Sequence, residues 1–122
     1  MPFHSILTDL VRAEDDVLGA LFVDDTGELI GMACADGQRE RLELIAAYLP
    51  LYVQRLQTAL EGVESGSLRL FHIRRGELDL HAAALPENYV LSLVTGPRGR
   101  AAVTRRRLAE GARRLESEVL GV

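Results

Sequence analysis

The sequence predicts an α/β (α+β) domain whose elements follow the order α-β-β-α-β-β-β-α. Three observations carry this. Unbroken apolar runs of strand length occur at 17–23, 29–35 and 89–94; two runs around Gly76-Glu77 alternate apolar with polar residues; and apolar residues recur at helical spacing in 3–11, 39–61 and 108–119. At 122 residues, 48% of them hydrophobic, the chain has enough apolar mass for one core, so a single domain over 1–122 is expected.

Phe3, Ile6, Leu7, Leu10 and Val11 form one helical face, and the acids Glu14-Asp15-Asp16 end that first helix. Val17 to Val23 is apolar throughout. Asp24-Asp25-Thr26-Gly27 then supplies turn chemistry before Leu29 to Ala35, which predicts a tight hairpin. Continuous apolarity in both arms predicts strands covered on both faces. Asp36-Gly37 breaks the second strand and Asp36 can cap a helix over 39–61, with Gly62 as its stop.

That long helix carries two apolar stripes, Leu42, Ile45, Leu49, Tyr52, Leu56 and, beside it, Leu44, Ala47, Tyr48, Leu51. One stripe suffices for packing on a sheet, so two imply burial on two sides, by the domain and by something else. Pro50 is expected to bend the helix rather than divide it.

Leu68 to Arg75 and Leu78 to Leu85 flank Gly76-Glu77, the Gly-first pattern of a type II′ turn. With Arg75 opposite Leu78, Ile73 meets Leu80 and Phe71 meets Ala82 on one face, while Arg74 meets Asp79 and His72 meets His81 on the other. A slip by one residue would mix the faces, so this register is preferred. Alternation predicts that this hairpin is wet on one face and lies toward the edge of the sheet. Tyr89 to Val94 suits a central strand, and Thr95 to Gly99 turns into a last helix with Leu108, Ala112, Leu115 and Val119 inward. Its other face is laced with i,i+4 pairs, Arg106 with Glu110 and Arg114 with Glu118.

Composition narrows the function. No stretch approaches the ~20 apolar residues of a membrane span and no export signal is visible, so a soluble, cytoplasmic protein with no membrane insertion is expected. Cys34 is the only cysteine and sits in an apolar run, which predicts a buried, inert thiol and neither disulfides nor a thiolate metal set. All fourteen basic residues are arginine, which reads as coding bias. Residues 1–64 hold twelve acids and four arginines, net −8; residues 65–122 hold six acids and ten arginines, net +4. The total of −4 argues against a nucleic-acid surface.

No constellation reads as catalytic. His72 and His81 could begin a zinc or copper site, but of their neighbours only Asp79 could add a ligand, so they are read as a solvated or interface pair and no metal or cofactor is expected. His4 has no visible partner. Gly96-Pro97-Arg98-Gly99-Arg100 precedes a helix but lacks the phosphate-binding Gly-Lys-Ser/Thr pattern, and reads as a strand-to-helix turn. Arg105-Arg106-Arg107 reads as a solvated face, and the carboxylate pairs Asp15-Asp16 and Asp24-Asp25 as helix-end and turn residues. No serine stands in a nucleophile elbow and no His-Asp partner set is visible. A non-enzyme is therefore expected.

The run Val17-Leu18-Gly19-Ala20-Leu21-Phe22-Val23-Asp24-Asp25-Thr26-Gly27-Glu28-Leu29-Ile30-Gly31 resembles the first hairpin of the roadblock family, related to dynein light chains. The order of elements is similar over nearly the whole chain. One departure follows the last strand, where the family often has an Asn-Leu-Gly-like helix start and this chain has Arg100-Ala101-Ala102-Val103. The resemblance implies a single five-stranded antiparallel sheet with the long helix on one face and the two terminal helices on the other. Strands 17–23 and 89–94 would be central, and 68–75 a free edge. It further implies homodimers, or heterodimers with a related domain, and a non-catalytic role in scaffolding or regulating small Ras-like GTPases, as in bacterial polarity and motility systems. On this basis Leu44, Ala47, Tyr48 and Leu51, with Arg69 and Phe71 of the edge strand, are assigned to the dimer or partner interface, and Leu42, Ile45, Leu49 and Leu56 to the domain's own sheet. A small-ligand sensor is the alternative, with Gly19, Ala20, Gly31, Ala33, Ala82 and Ala84 as the small groups that could leave a cavity.

Overall fold

Strand and helix boundaries in the computed structural model follow the hydrophobic pattern closely; it describes residues 2–62, 70–98, 100–119 and 121. The chain runs α1 (Pro2–Arg12), β1 (Val17–Val23), β2 (Leu29–Cys34), α2 (Arg39–Gly62), β3 (Leu70–Arg75), β4 (Leu78–Ala84), a 3₁₀ turn (Pro86–Asn88), β5 (Val90–Thr95) and α3 (Ala101–Glu118). The strands form one sheet in the order β2-β1-β5-β4-β3, and every neighbouring pair is antiparallel. The first and last strands of the core, β1 and β5, thus sit side by side in the middle, where their largely apolar residues, with Ser92 and Thr95 among them, are buried on both faces.

Local chemistry sets the turns. In the β1–β2 turn Asp24 Oδ1 accepts from the backbone N–H of Thr26 and Glu28, both at 2.9 Å, and from the Thr26 hydroxyl at 2.7 Å. Those donors, led by the hydroxyl, hold the Asp24 carboxyl below its ordinary pKa. Gly27 takes the positive φ of 88° that closes the turn. The β3–β4 hairpin turns on Gly76 at φ 59°, and its register is the one that the alternation selects: Arg75 opposite Leu78, Ile73 opposite Leu80, His72 opposite His81.

Strand alternation then sends residues to two layers. Ala20 and Phe22 of β1, Leu91 and Leu93 of β5, and Ala83 of β4 meet Ile6, Leu7 and Leu10 of α1 and Leu108, Ala112 and Leu115 of α3. Gly111 permits this layer to close, since a Cβ there would stand 2.8 Å from the Leu10 side chain. Leu21, Val23, Ala82, Val90 and Val94 point the other way, toward Leu42, Ala46, Leu49 and Val53 of α2. Helix α2 carries the chain from one sheet edge, β2, to the other, β3.

Two expectations need correcting. The apolar run of β2 is only partly covered: α1 packs on one face and α2 touches the other, but the strand is a sheet edge with a neighbour on one side, so Leu29 is exposed and the rest is half-buried. In α2, the inward stripe after Leu49 continues through Val53, whereas Tyr52 and Leu56 are exposed. A step of three or of four from Leu49 is equally helical, and the sheet lies on the side of the four-residue step.

Candidate partner interface

With Leu42, Ala46, Leu49 and Val53 turned inward, helical geometry sends Leu44, Ala47, Tyr48, Leu51 and Tyr52 outward. Leu44 is 61% exposed and Tyr48 54%; Ala47, Leu51, Tyr52 and Leu56 are exposed as well. Beyond α2 lies β3, whose described residues bond only to β4, so its outer N–H and C=O groups face away from the sheet. Leu70 and Ile73 of β3 are exposed, while Phe71 is half-buried against the core between α2 and the sheet. Arg69, placed at the interface from sequence, lies outside the described residues. Between α2 and the β3–β4 hairpin runs a groove of about 480 Å³ walled by Leu44, Tyr48, Tyr52, Ile73, Leu78 and Leu80. Of the large apolar side chains left exposed among the described residues, all but Leu29 belong to α2 or β3. Fully burying one such side chain is worth roughly 1.5–3 kcal/mol, so this surface has a strong drive to be covered.

The opposite face of the same hairpin is polar, and it is not the solvated surface expected from sequence. Asp79 and His81 are buried under the α3 side, while His72 and Arg74 of the edge strand, with Leu70 beside them, remain open. The two imidazoles stack with centroids 4.0 Å apart and planes 14° from parallel. The Arg74 guanidinium donates from Nε to Asp79 Oδ1 at 2.9 Å and from Nη2 to Oδ2 at 3.2 Å, and His72 Nε2 stands 3.6 Å from Oδ1. The Arg74 hydrogen bond, outweighing burial, lowers the Asp79 carboxyl below its ordinary pKa. His81 is 1% exposed and neither ring nitrogen has a hydrogen-bond partner. Burial first, then the nearby His72, pushes its pKa down to about 4. Alternation reveals which face these residues share; it carries no signal that α3 covers half of it.

No family model and no curated protein matches the sequence. Solved structures do. The chain is similar to Myxococcus xanthus MglB, with a TM-score of 0.85 and 14% identity over 98% of this chain and 96% of that one. It is similar to the Roadblock/LC7 domain from Streptomyces avermitilis, with a TM-score of 0.83 and 14% identity over 95% and 96%. The fold is roadblock-like. A further MglB, solved with a tetrameric arrangement, matches with a TM-score of 0.72 and 18% identity over 93% of this chain and 87% of that one.

Within this roadblock-like fold the remaining motifs resolve into structural roles. At the start of α3 the Gly96 N–H donates to the Asp16 carbonyl at 3.0 Å, and Glu14 faces Arg107 at 3.7 Å and Arg100 at 4.0 Å. The Glu14 and Asp16 carboxylates beside this helix start oppose an incoming phosphate, in line with a plain turn; Gly99 lies outside the described residues. Arg105 and Arg106 are exposed. Arg114 pairs with Glu118 at 3.3 Å as spaced, and also reaches Asp9 of α1 at 3.2 Å. The expected Arg106–Glu110 pair does not form among the described residues, where Arg39–Glu43 at 3.1 Å is the other i,i+4 pair. Cys34 is half-buried rather than buried, again because β2 is an edge. The glycines that might have left a ligand cavity are filled instead: a Cβ at Gly19 would collide with Leu42, and one at Gly31 would stand 2.6 Å from the Phe3 ring. They serve close helix packing.

Proposed function

We propose that the chain is a dimeric protein-binding platform, without catalytic residues of its own, that regulates or scaffolds a small Ras-like GTPase in the bacterial cytoplasm. The observation that carries this reading is the continuity of exposed apolar surface from the outer stripe of α2, through the groove, onto the unpaired edge of β3. Two copies related by a two-fold axis can lay these α2 stripes antiparallel and join β3 to β3, so that apolar area and edge hydrogen bonds are satisfied together. Leu44, Ala47, Tyr48, Leu51 and Phe71, with Arg69, are the interface on this reading. Support comes from the roadblock-like fold itself and from the tetrameric arrangement of one MglB that shares it.

The GTPase would dock on the helical surface that the paired α2 helices create and bias its switch loops. A regulator of this kind raises hydrolysis by positioning the GTPase's own groups and needs no arginine finger. Light scattering on the purified chain tests the assembly: a mass of twice 13.4 kDa is expected, and Tyr48→Glu with Leu51→Glu should reduce it to one chain, because two charges would be buried without partners. A parent that is already a single chain at high concentration would overturn the dimer. A dimer that leaves the nucleotide turnover of every candidate Ras-like GTPase unchanged would retain the scaffold and remove the regulator.

A further inference from the structure

We propose that His72, Asp79 and His81 form a binding site for a divalent transition metal of the Zn²⁺ class, clasping the edge strand β3 to β4. One ligand atom from each residue lies within 4.8 Å of the other two. The cross-strand register sets His72 directly opposite His81 and places Asp79 two residues along β4 from His81, so all three project from the same face. Two imidazoles and a carboxylate are a ligand set that zinc uses in sites with a fourth, open position. Imidazole also suits Cu²⁺ and Ni²⁺, which makes those ions competitors for the same donors.

The second, independent observation is His81. A buried imidazole with both ring nitrogens unpartnered loses its hydration without compensation, at a net cost to the fold. A metal on one of those nitrogens removes part of that cost. Zn–N distances of about 2.0–2.1 Å require ligand atoms roughly 3.3 Å apart. His72 Nε2 and Asp79 Oδ1 already stand at 3.6 Å. Further closure requires the two rings to leave their stack, and His72, on the exposed side of it, has room to turn. Arg74, well exposed, can keep its bond to Asp79 Oδ2 while Oδ1 turns to the metal, and so hold the ligating carboxylate in place. The same opening beside His72 gives the ion access and leaves the fourth position to water.

The test uses the untagged chain, stripped with a chelator and titrated with ZnCl₂ in a calorimeter, with ring-nitrogen NMR of the histidines in parallel. Saturable binding of one ion per chain is expected, with the His81 and His72 ring resonances shifting together. His72→Gln removes a direct ligand and should weaken binding by at least the roughly 10–100-fold typical of losing an outer-shell partner, and His4→Gln should leave it unchanged. If no saturable binding occurs, or the His81 ring resonances stay where they are as zinc is added, the site is overturned. If His4→Gln removes binding and His72→Gln does not, the metal sits at the amino terminus and the proposal fails equally.

Discussion

Both faces of the sheet carry apolar residues, yet only one holds an apolar core that closes on itself. On the α1–α3 face, Ile6, Leu7, Leu10, Phe22, Leu91, Leu93, Leu108 and Leu115 enclose one another completely. On the α2 face a single helix crosses five strands, its core splits into two smaller clusters, and a groove remains between them and the β3–β4 hairpin. The difference teaches that apolar content alone does not distinguish a core from an interface. Two helices can seal a five-stranded sheet, and one helix with apolar residues on both sides leaves the covering to another chain.

The closed face should be the one on which folding depends. Phe22 is buried between the Phe3 ring at 6.0 Å and the Tyr89 ring at 5.7 Å. Phe22→Ala is expected to cost about 3–5 kcal/mol, a large part of the stability of a small domain. Urea unfolding measures it; a loss below about 1 kcal/mol would mean that this face is not the sealed one.

The buried histidine adds a dependence on pH to the same face. His81 is faced by His72 and Arg74 from β3, Asp79 from β4 and Arg105 from α3. Its pKa is about 4 in the fold and near 6.5 in the unfolded chain, so the unfolded state takes up the proton first as pH falls. Stability is therefore fully present above about pH 6.5 and drains away as pH drops toward 4, by on the order of 3 kcal/mol. Asp79 acts in a lower window: its pKa is depressed below 3.8, so the stability it adds is present above that value and is lost only further into acid. Unfolding midpoints across pH 4–7, with a chelator present, should follow this slope in the parent and flatten in His81→Gln. An equal slope in both would relocate the effect to other groups.

The sequence shows how far such contrasts can be read in advance. The β3–β4 register was legible because a one-residue slip would set Ile73 against Asp79, a conflict visible without coordinates. That Leu44, Ala47, Tyr48 and Leu51 share a side was legible because helical spacing fixes it; which of the two stripes faces outward was not, because only the position of the sheet decides it. What alternation cannot carry is the identity of the covering layer. His72 and His81 looked equivalent, yet α3 reaches far enough to bury one and not the other. The exchange of Tyr52 for Val53 in the inward stripe has a similar origin, since steps of three and four residues are both helical and only the position of the sheet chooses between them. β2 looked as fully covered as β1, because the strand order that makes it an edge is settled by pairings distant in sequence.

The open face should give the smallest effect on folding and the largest on assembly, which is the sharpest form of the contrast. Tyr48 and Leu51 are already exposed in the single chain, so Tyr48→Glu with Leu51→Glu should change its intrinsic folding free energy by no more than about 0.5 kcal/mol. A dimer, however, ties stability to concentration, because association stabilises the folded chain by mass action. The urea midpoint of the parent should therefore rise with protein concentration, while that of the double variant stays constant, and the two should converge on dilution. If the variant is instead less stable at every concentration, these side chains support their own chain's core, and the outer stripe of α2 belongs to the finished part of the fold.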